Sequence, residues 1–188
     1  ARCDYEALRY FTEFWASDNT DGVERIYIQW GFSHLFPAKS IAAHVTSWGK
    51  QPLKFRLDVA MMCKLGFDIQ LKEMSENEQK LCQDVVKNFK RLQPVILDGD
   101  MYRLVSPYDT DHAAVIYNSK DKNKAILFAY DIHPRFAEQL QPVRLNGLDP
   151  DKRYKVEEIN VIQEDRQGRR PMPSVNGQIY SGDYLMKV

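Results

Sequence analysis

Phe14-Trp15-Ala16-Ser17-Asp18-Asn19-Thr20-Asp21-Gly22-Val23-Glu24-Arg25-Ile26-Tyr27-Ile28-Gln29-Trp30-Gly31 is the stretch on which the fold turns. Phe14, Trp15 and Ala16 are apolar and can be buried as a strand, and a polar elbow, residues 17–21, leads directly into a helical pattern. Val23, Ile26, Tyr27 and Trp30 recur on one helical face, and Asp21 with Glu24 three residues later makes a capping pair. A helix is therefore predicted from about Gly22, with Gly31 able to end it. Strand, loop and helix in that order is the pattern of a parallel α/β architecture.

Working outward, Asp4 can cap a short helical stretch over 5–10. His34, Leu35 and Phe36 before Pro37 predict a second strand, followed by a loop of small residues to Pro52. Residues 56–65 predict a helix closing at Gly66, and residues 67–71 alternate as a strand. Ser75 and Glu78 form a capping box before Leu81, Cys82, Val85, Val86 and Phe89, and Pro94 is expected to stop that helix. Beyond Asp98-Gly99 the pattern changes to short strands, predicted at 101–105, 113–117, 125–130, 143–145, 154–162 and 179–186. Turn formers such as Asn146-Gly147 and Asn176-Gly177 separate them. The expected organisation is an α/β part over 1–97 and an all-β part over 98–188 built as an antiparallel β-sandwich.

Composition removes several function classes. The 188 residues carry 26 Lys+Arg against 26 Asp+Glu, so no global field attracts phosphates and nucleic acid is not an expected partner. At 44% hydrophobic and 12% aromatic the chain can bury a sizeable core, yet no run of about 18 apolar residues exists to span a membrane. Cys3, Cys63 and Cys82 are odd in number and lack a Cys-x-x-Cys, which argues for free thiols, no structural zinc and a lean toward the cytoplasm. His34, His44, His112 and His133 have no i, i+4 pairing, so no metal is expected. The chain opens Ala1-Arg2-Cys3 without a methionine or a secretory pattern, and Ala1 reads as a cut.

The acidic elbow is where chemistry is expected, because loops after parallel strands carry the active sites of α/β barrels. On pattern alone, Asp18 and Asp21 could bind a cation, move a proton or cap the helix, with Asp21 the better cap. His44 lies in the loop of small residues and reads as a structural hydrogen-bonding group. The charged clusters at 120–124 and 166–170 read as solvated turns.

The same elbow closely resembles the sequence around the acid/base aspartate of the glycoside hydrolase family 36 alpha-galactosidases, where Trp-Thr/Ala-Ser-Asp-Asn-Thr-Asp precedes a helix bearing Glu-Arg and Gln-Tyr/Trp-Gly. Similar stretches continue through Phe36-Pro37, Ala43-His44-Val45-Thr46, Pro52 to Met61, Leu65-Gly66-Phe67, Tyr102-Arg103-Leu104 and Gly147-Leu148-Asp149-Pro150. The resemblance implies a retaining enzyme whose last (β/α)8 TIM barrel units are residues 1–97, with residues 98–188 forming most of a C-terminal β-sandwich. It places Asp18 on the general acid/base, and Trp15 and Arg2 on substrate-binding positions. It implies no metal and no cofactor, and a homo-oligomer for the full-length protein. The nucleophilic aspartate and a glycine-rich sugar-binding segment belong to sequence that would precede Ala1, so the chain alone is expected to be inactive. The implied partner is an alpha-galactoside oligosaccharide of the raffinose type. Two rival readings stand beside it: a non-catalytic carbohydrate-binding or assembly module, and an alpha-N-acetylgalactosaminidase of the same family.

Overall fold

The computed structural model describes residues 4–136, 138, 141–161 and 175–187. Arg2, Cys3, the 166–170 cluster and the end of the strand predicted at 154–162 lie outside the described residues. Three consecutive strand–helix units open the chain: β1 (Phe14–Trp15), α1 (Gly22–Phe32), β2 (Ile41–Thr46), α2 (Leu53–Ala60), β3 (Lys64–Asp68) and α3 (Glu76–Asp98). The strands form a parallel sheet in the order β1-β2-β3, with Trp15 beside Ala42 and Thr46 beside Asp68. All three strands point the same way, so the loops that follow them gather at one edge.

Local chemistry explains the helix starts. The Asp21 carboxylate accepts from the amides of Val23 and Glu24 while Glu24 reaches back to the Asp21 amide. Ser75 and Glu78 repeat the arrangement at α3. Each reciprocal box satisfies donors that a helix start otherwise leaves open. Asp4 caps a 3-10 turn over Tyr5–Arg9 as its position predicts.

The remaining elements depart from the sequence expectation in informative ways. Residues 34–36 are not a strand; the second strand is β2, inside the stretch expected to be a loop. Ala43, His44, Val45 and Thr46 are all buried, so β2 shows none of the alternation that marks a half-exposed strand. Gly66 does not end a helix but sits in β3 beside His44, where an added Cβ would come within 3.2 Å of the Ala43 carbonyl. Gly31 likewise lies inside α1, which ends at Phe32. Pro94 lies inside α3, and the helix continues four residues past it. An interior proline costs about 3 kcal/mol, and the burial of Val95 and Ile96 just beyond it offsets that cost.

In the second part β4 (Asp100–Val105), β5 (His112–Asn118) and β6 (Ala125–Asp131) form an antiparallel meander, with strands where 101–105, 113–117 and 125–130 are predicted. A separate two-stranded ribbon joins β7 (Arg153–Lys155) to β8 (Ile179–Ser181). No strand forms at 143–145, although the Leu145 amide donates to the Leu185 carbonyl. Residues 182–187 are a helix, α4 (Gly182–Lys187), and not the end of a strand. Its start is held by the Ser181 hydroxyl, which accepts from the Tyr184 amide, and Lys187 pairs with Asp183 one turn earlier. Gly147 (φ +75°) and Gly177 (φ +81°) take the left-handed conformation that Asn-Gly turns supply.

One continuous core runs through both parts. It joins Ile26, Val45, Leu57 and Met61 to Val85 and Ile96 of α3 and to Val115, Tyr117 and Phe128 of the antiparallel sheet. The Tyr117 hydroxyl donates to the Met62 carbonyl and the Tyr130 hydroxyl to the Asp58 carbonyl, so the sheet is bonded to α2 as well as packed on it. Cys63 and Cys82 are buried free thiols, and burial pushes the Cys63 thiol up to about 12. That thiol is inert.

Candidate active site

The parallel strands deliver their loops to a single mouth. Trp15 ends β1, and Asp18 follows in the loop before α1; both are exposed, Trp15 by 48%. Among the described residues the Asp18 carboxylate has no hydrogen-bond partner, whereas its backbone is tightly held. The Asp18 carbonyl accepts from the Thr20 amide at 2.8 Å and from Nη2 of Arg25 at 2.7 Å. Thr20 Oγ1 donates to Ser17 Oγ at 2.8 Å, which closes the turn. The carboxyl thus projects from a fixed backbone toward solvent, free to meet a ligand. Asp21, the other carboxylate of the elbow, is spent on the helix cap and on Nε2 of Gln51 at 3.2 Å.

Arg25 and His44 form the floor beneath this loop. Both are buried, at 4% and 2% exposure. Nε of Arg25 donates to the Thr20 carbonyl at 3.1 Å, and Nη2 lies 2.8 Å from Nε2 of His44. Nη1 of Arg25 lies 3.3 Å from Nδ1 of the same ring, so both ring nitrogens face the guanidinium, and the tautomer sets which of them accepts. Burial, reinforced by the Arg25 charge, lowers the His44 pKa and favours the neutral ring. Burial also pulls Arg25 below its ordinary value, opposed by the fields of Asp68, Asp18, Glu24 and Asp21. The His44 ring stacks on the Trp15 indole with centroids 4.0 Å apart and planes 15° apart. Trp15 is therefore half supported from below and half open above.

The loop after β2 completes the rim. Gly49 has φ +85°, and a Cβ there would fall 2.5 Å from the Asp21 Cβ, so this loop lies directly against the first. Trp48, 54% exposed, stands on it, its amide donating to Thr46 Oγ1. Two shallow hollows elsewhere, one beside Ser33, Phe36 and Met101 and one between α3 and Asn160, lie away from these carboxylates. They lack the exposed acid and aromatic pair that the mouth offers.

Of the residues singled out from sequence, Asp18 and Trp15 are brought to one mouth, and Arg2 is outside the described residues. Arg25 and Trp48 were not singled out. His44 was read as structural, and it does make such a bond, but its position under Trp15 and Arg25 was not foreseen. A buried arginine among apolar helix positions was the available signal. Chemically, an exposed carboxyl on a pinned backbone, three residues from an exposed aromatic ring, suits proton transfer to a ligand with an apolar face, such as a sugar ring.

Comparison with known proteins identifies the family. The family model described as melibiase matches residues 1–99, and that of the glycosyl hydrolase family 36 C-terminal domain matches residues 112–188. A probable alpha-galactosidase C of Aspergillus terreus is 36% identical over 163 residues, covering 83% of this chain and 22% of that protein. Alpha-galactosidase AgaA of Geobacillus stearothermophilus is 31% identical over 170 residues, or 87% of this chain and 23% of that protein. The crystal structure of the GH36 alpha-galactosidase AgaB from the same organism superposes with a TM-score of 0.82 at 29% identity, covering 96% of this chain and 23% of that one. A variant of AgaA in complex with raffinose gives 0.83 at 27% identity, covering 96% and 24%. The chain thus spans under a quarter of the length of the relatives it matches.

Proposed function

Because this chain belongs to glycoside hydrolase family 36, we propose that it is a segment of a retaining alpha-galactosidase and contributes that enzyme's general acid/base, Asp18. In this reading β1 to α3 are the last units of the catalytic (β/α)8 barrel and residues 98–188 make up most of a C-terminal β-sandwich domain. The parallel order β1-β2-β3, with every following loop at one edge, supports the barrel assignment. The observation that carries the functional reading is the Asp18 carboxyl itself, exposed and without a hydrogen-bond partner among the described residues, on a loop whose backbone is pinned from below.

The chemistry proceeds in two steps. In the first, a carboxylate nucleophile supplied by residues outside this chain attacks the anomeric carbon. The bond to the leaving oxygen breaks, and that oxygen takes the proton from Asp18. In the second, the Asp18 carboxylate removes a proton from water, the water oxygen attacks the anomeric carbon from the vacated face, and the glycosyl–carboxylate bond breaks. Configuration is retained. Trp15 offers its open face to the sugar, and Arg2 is assigned to a substrate-binding position by family resemblance. Carboxylates supply both the proton transfer and the covalent step, so the proposal includes no metal or cofactor.

The substrate class is terminal alpha-galactosides of the raffinose type, supported by relatives solved in complex with raffinose and with stachyose. The full protein is proposed to be a homo-oligomer, which a solution mass measurement checks. The test of function is turnover of an aryl alpha-galactoside by the complete protein and its Asp18→Ala variant, with and without azide. The expected result is a rate loss of about 10²–10⁴-fold, partly recovered by azide with formation of alpha-galactosyl azide. Unchanged turnover would return Asp18 to a structural role. The 188-residue chain alone is expected to show no turnover.

A further inference from the structure

Arg25 is a cation buried in α1 that makes no ion pair with a carboxylate among the described residues. Burying a charge without a counterion is costly unless its hydrogen bonds are well used. The cap of α1 does not need it, since Asp21 and Glu24 already satisfy that end. Instead its donors go to the carbonyls of Asp18 and Thr20 and to the neutral ring of His44. His44, nineteen residues away on the neighbouring strand, in turn carries the Trp15 indole. The side-chain hydrogen bonds and stacking of this pair are thus directed at the loop that bears Asp18, at each other, or at the aromatic wall beside that loop.

We infer that Arg25 and His44 are positioning residues that aim the Asp18 carboxyl and hold the Trp15 face relative to it. The inference rests on the acid/base reading of Asp18. For an exposed carboxyl with no side-chain partner among the described residues, the backbone is what sets the point from which it reaches. The Arg25 bond to the Asp18 carbonyl fixes that backbone from the protein interior. A displacement of about 1 Å at a proton-transferring group costs on the order of 100-fold in rate, so loss of this support should register as lost acid catalysis and not simply as lost stability.

The experiment is kcat/KM of the complete enzyme, which reports the first bond cleavage, across galactosides whose leaving groups range from dinitrophenol to raffinose. Dinitrophenolate leaves without a proton, whereas the sucrose unit of raffinose requires one. Arg25→Lys and His44→Gln are each expected to lose about 10–100-fold on raffinose and less than about 3-fold on the dinitrophenyl galactoside, giving the steeper leaving-group dependence that Asp18→Ala shows in extreme form. Arg25→Lys keeps the charge and removes the forked donors; if it does not fold, His44→Gln carries the test. Equal losses across all leaving groups, or none, overturn the positioning role while leaving Asp18→Ala as the acid/base standard. If Asp18→Ala itself shows no leaving-group dependence, the acid/base reading falls and this inference falls with it.

Discussion

The mouth formed by the loops after β1 and β2 and the seam behind α2 each withdraw a charged group from solvent, Arg25 fully and Asp58 in part, and they treat it oppositely. At the mouth, Arg25 gives its hydrogen bonds to backbone carbonyls and a neutral ring. At the seam, Asp58 is met by two side chains: Lys54, one turn earlier in α2, at 2.6 Å, and Nδ2 of Asn160, 102 residues along the chain, at 2.7 Å. Asn160 also accepts from Asn88 of α3 at 2.9 Å, and Glu158 approaches Lys54 at 3.6 Å. Burial still raises the Asp58 pKa against the opposing influence of Lys54 and Asn160. The seam joins two sequence regions into one body, while the mouth fixes the course of one loop. Substitutions at the seam should therefore appear in stability, and those at the mouth in chemistry.

The largest stability effect expected is Leu57→Ala, since this side chain is fully buried where α2 meets the core. A loss of about 2–5 kcal/mol in denaturant unfolding is predicted; a loss below about 1 would show that the core is not shared as described. Next, Asn160 sits at φ +57°, which glycine adopts freely and alanine does not. Asn160→Ala should cost about 2–3 kcal/mol from lost hydrogen bonds and backbone strain, with Asn160→Gly recovering the strain portion of about 1. Equal costs for the two would deny the conformational part.

A pH effect separates the regions further. The folded pKa of His44 is lowered, so below the ordinary histidine value of about 6.5 the unfolded chain binds a proton that the folded one excludes. Its contribution to stability is complete above that value and is lost as pH falls from there through the folded pKa. His44→Gln should remove this component, seen as a shallower decline of unfolding free energy with acid; an unchanged decline would refute it. The smallest effect is at the rim. Asp18→Ala and Trp48→Ala should each leave stability within about 0.5 kcal/mol, and a larger loss would mean that these side chains make structural contacts not seen here.

What was legible from the sequence was what local chemistry writes. Asp21 with Glu24, Ser75 with Glu78 and the Asn-Gly turns announce themselves within four residues, and all form. β2 did not, because a strand covered on both faces carries no period-two signal, and its small residues mimic a loop. Gly66 and Pro94 have strong meanings as punctuation, yet strand packing beside His44 and burial of Val95 and Ile96 override them. The elbow was legible as an acidic loop before a helix with Asp21 the better cap, but pattern alone gave Asp18 no task of its own. Family resemblance supplied that task. The pairing of Arg25 with His44 was not legible because their meeting depends on the register of two strands and a helix.

The close approach at Gly49 has a consequence for anyone redesigning this protein. With no room for even a methyl group beside Asp21, the segments after β1 and β2 behave as a single cassette. Grafting one of them from a relative while keeping the other would bring mismatched surfaces together at that point. Exchange libraries should move residues 16–21 and 47–52 together or leave both in place.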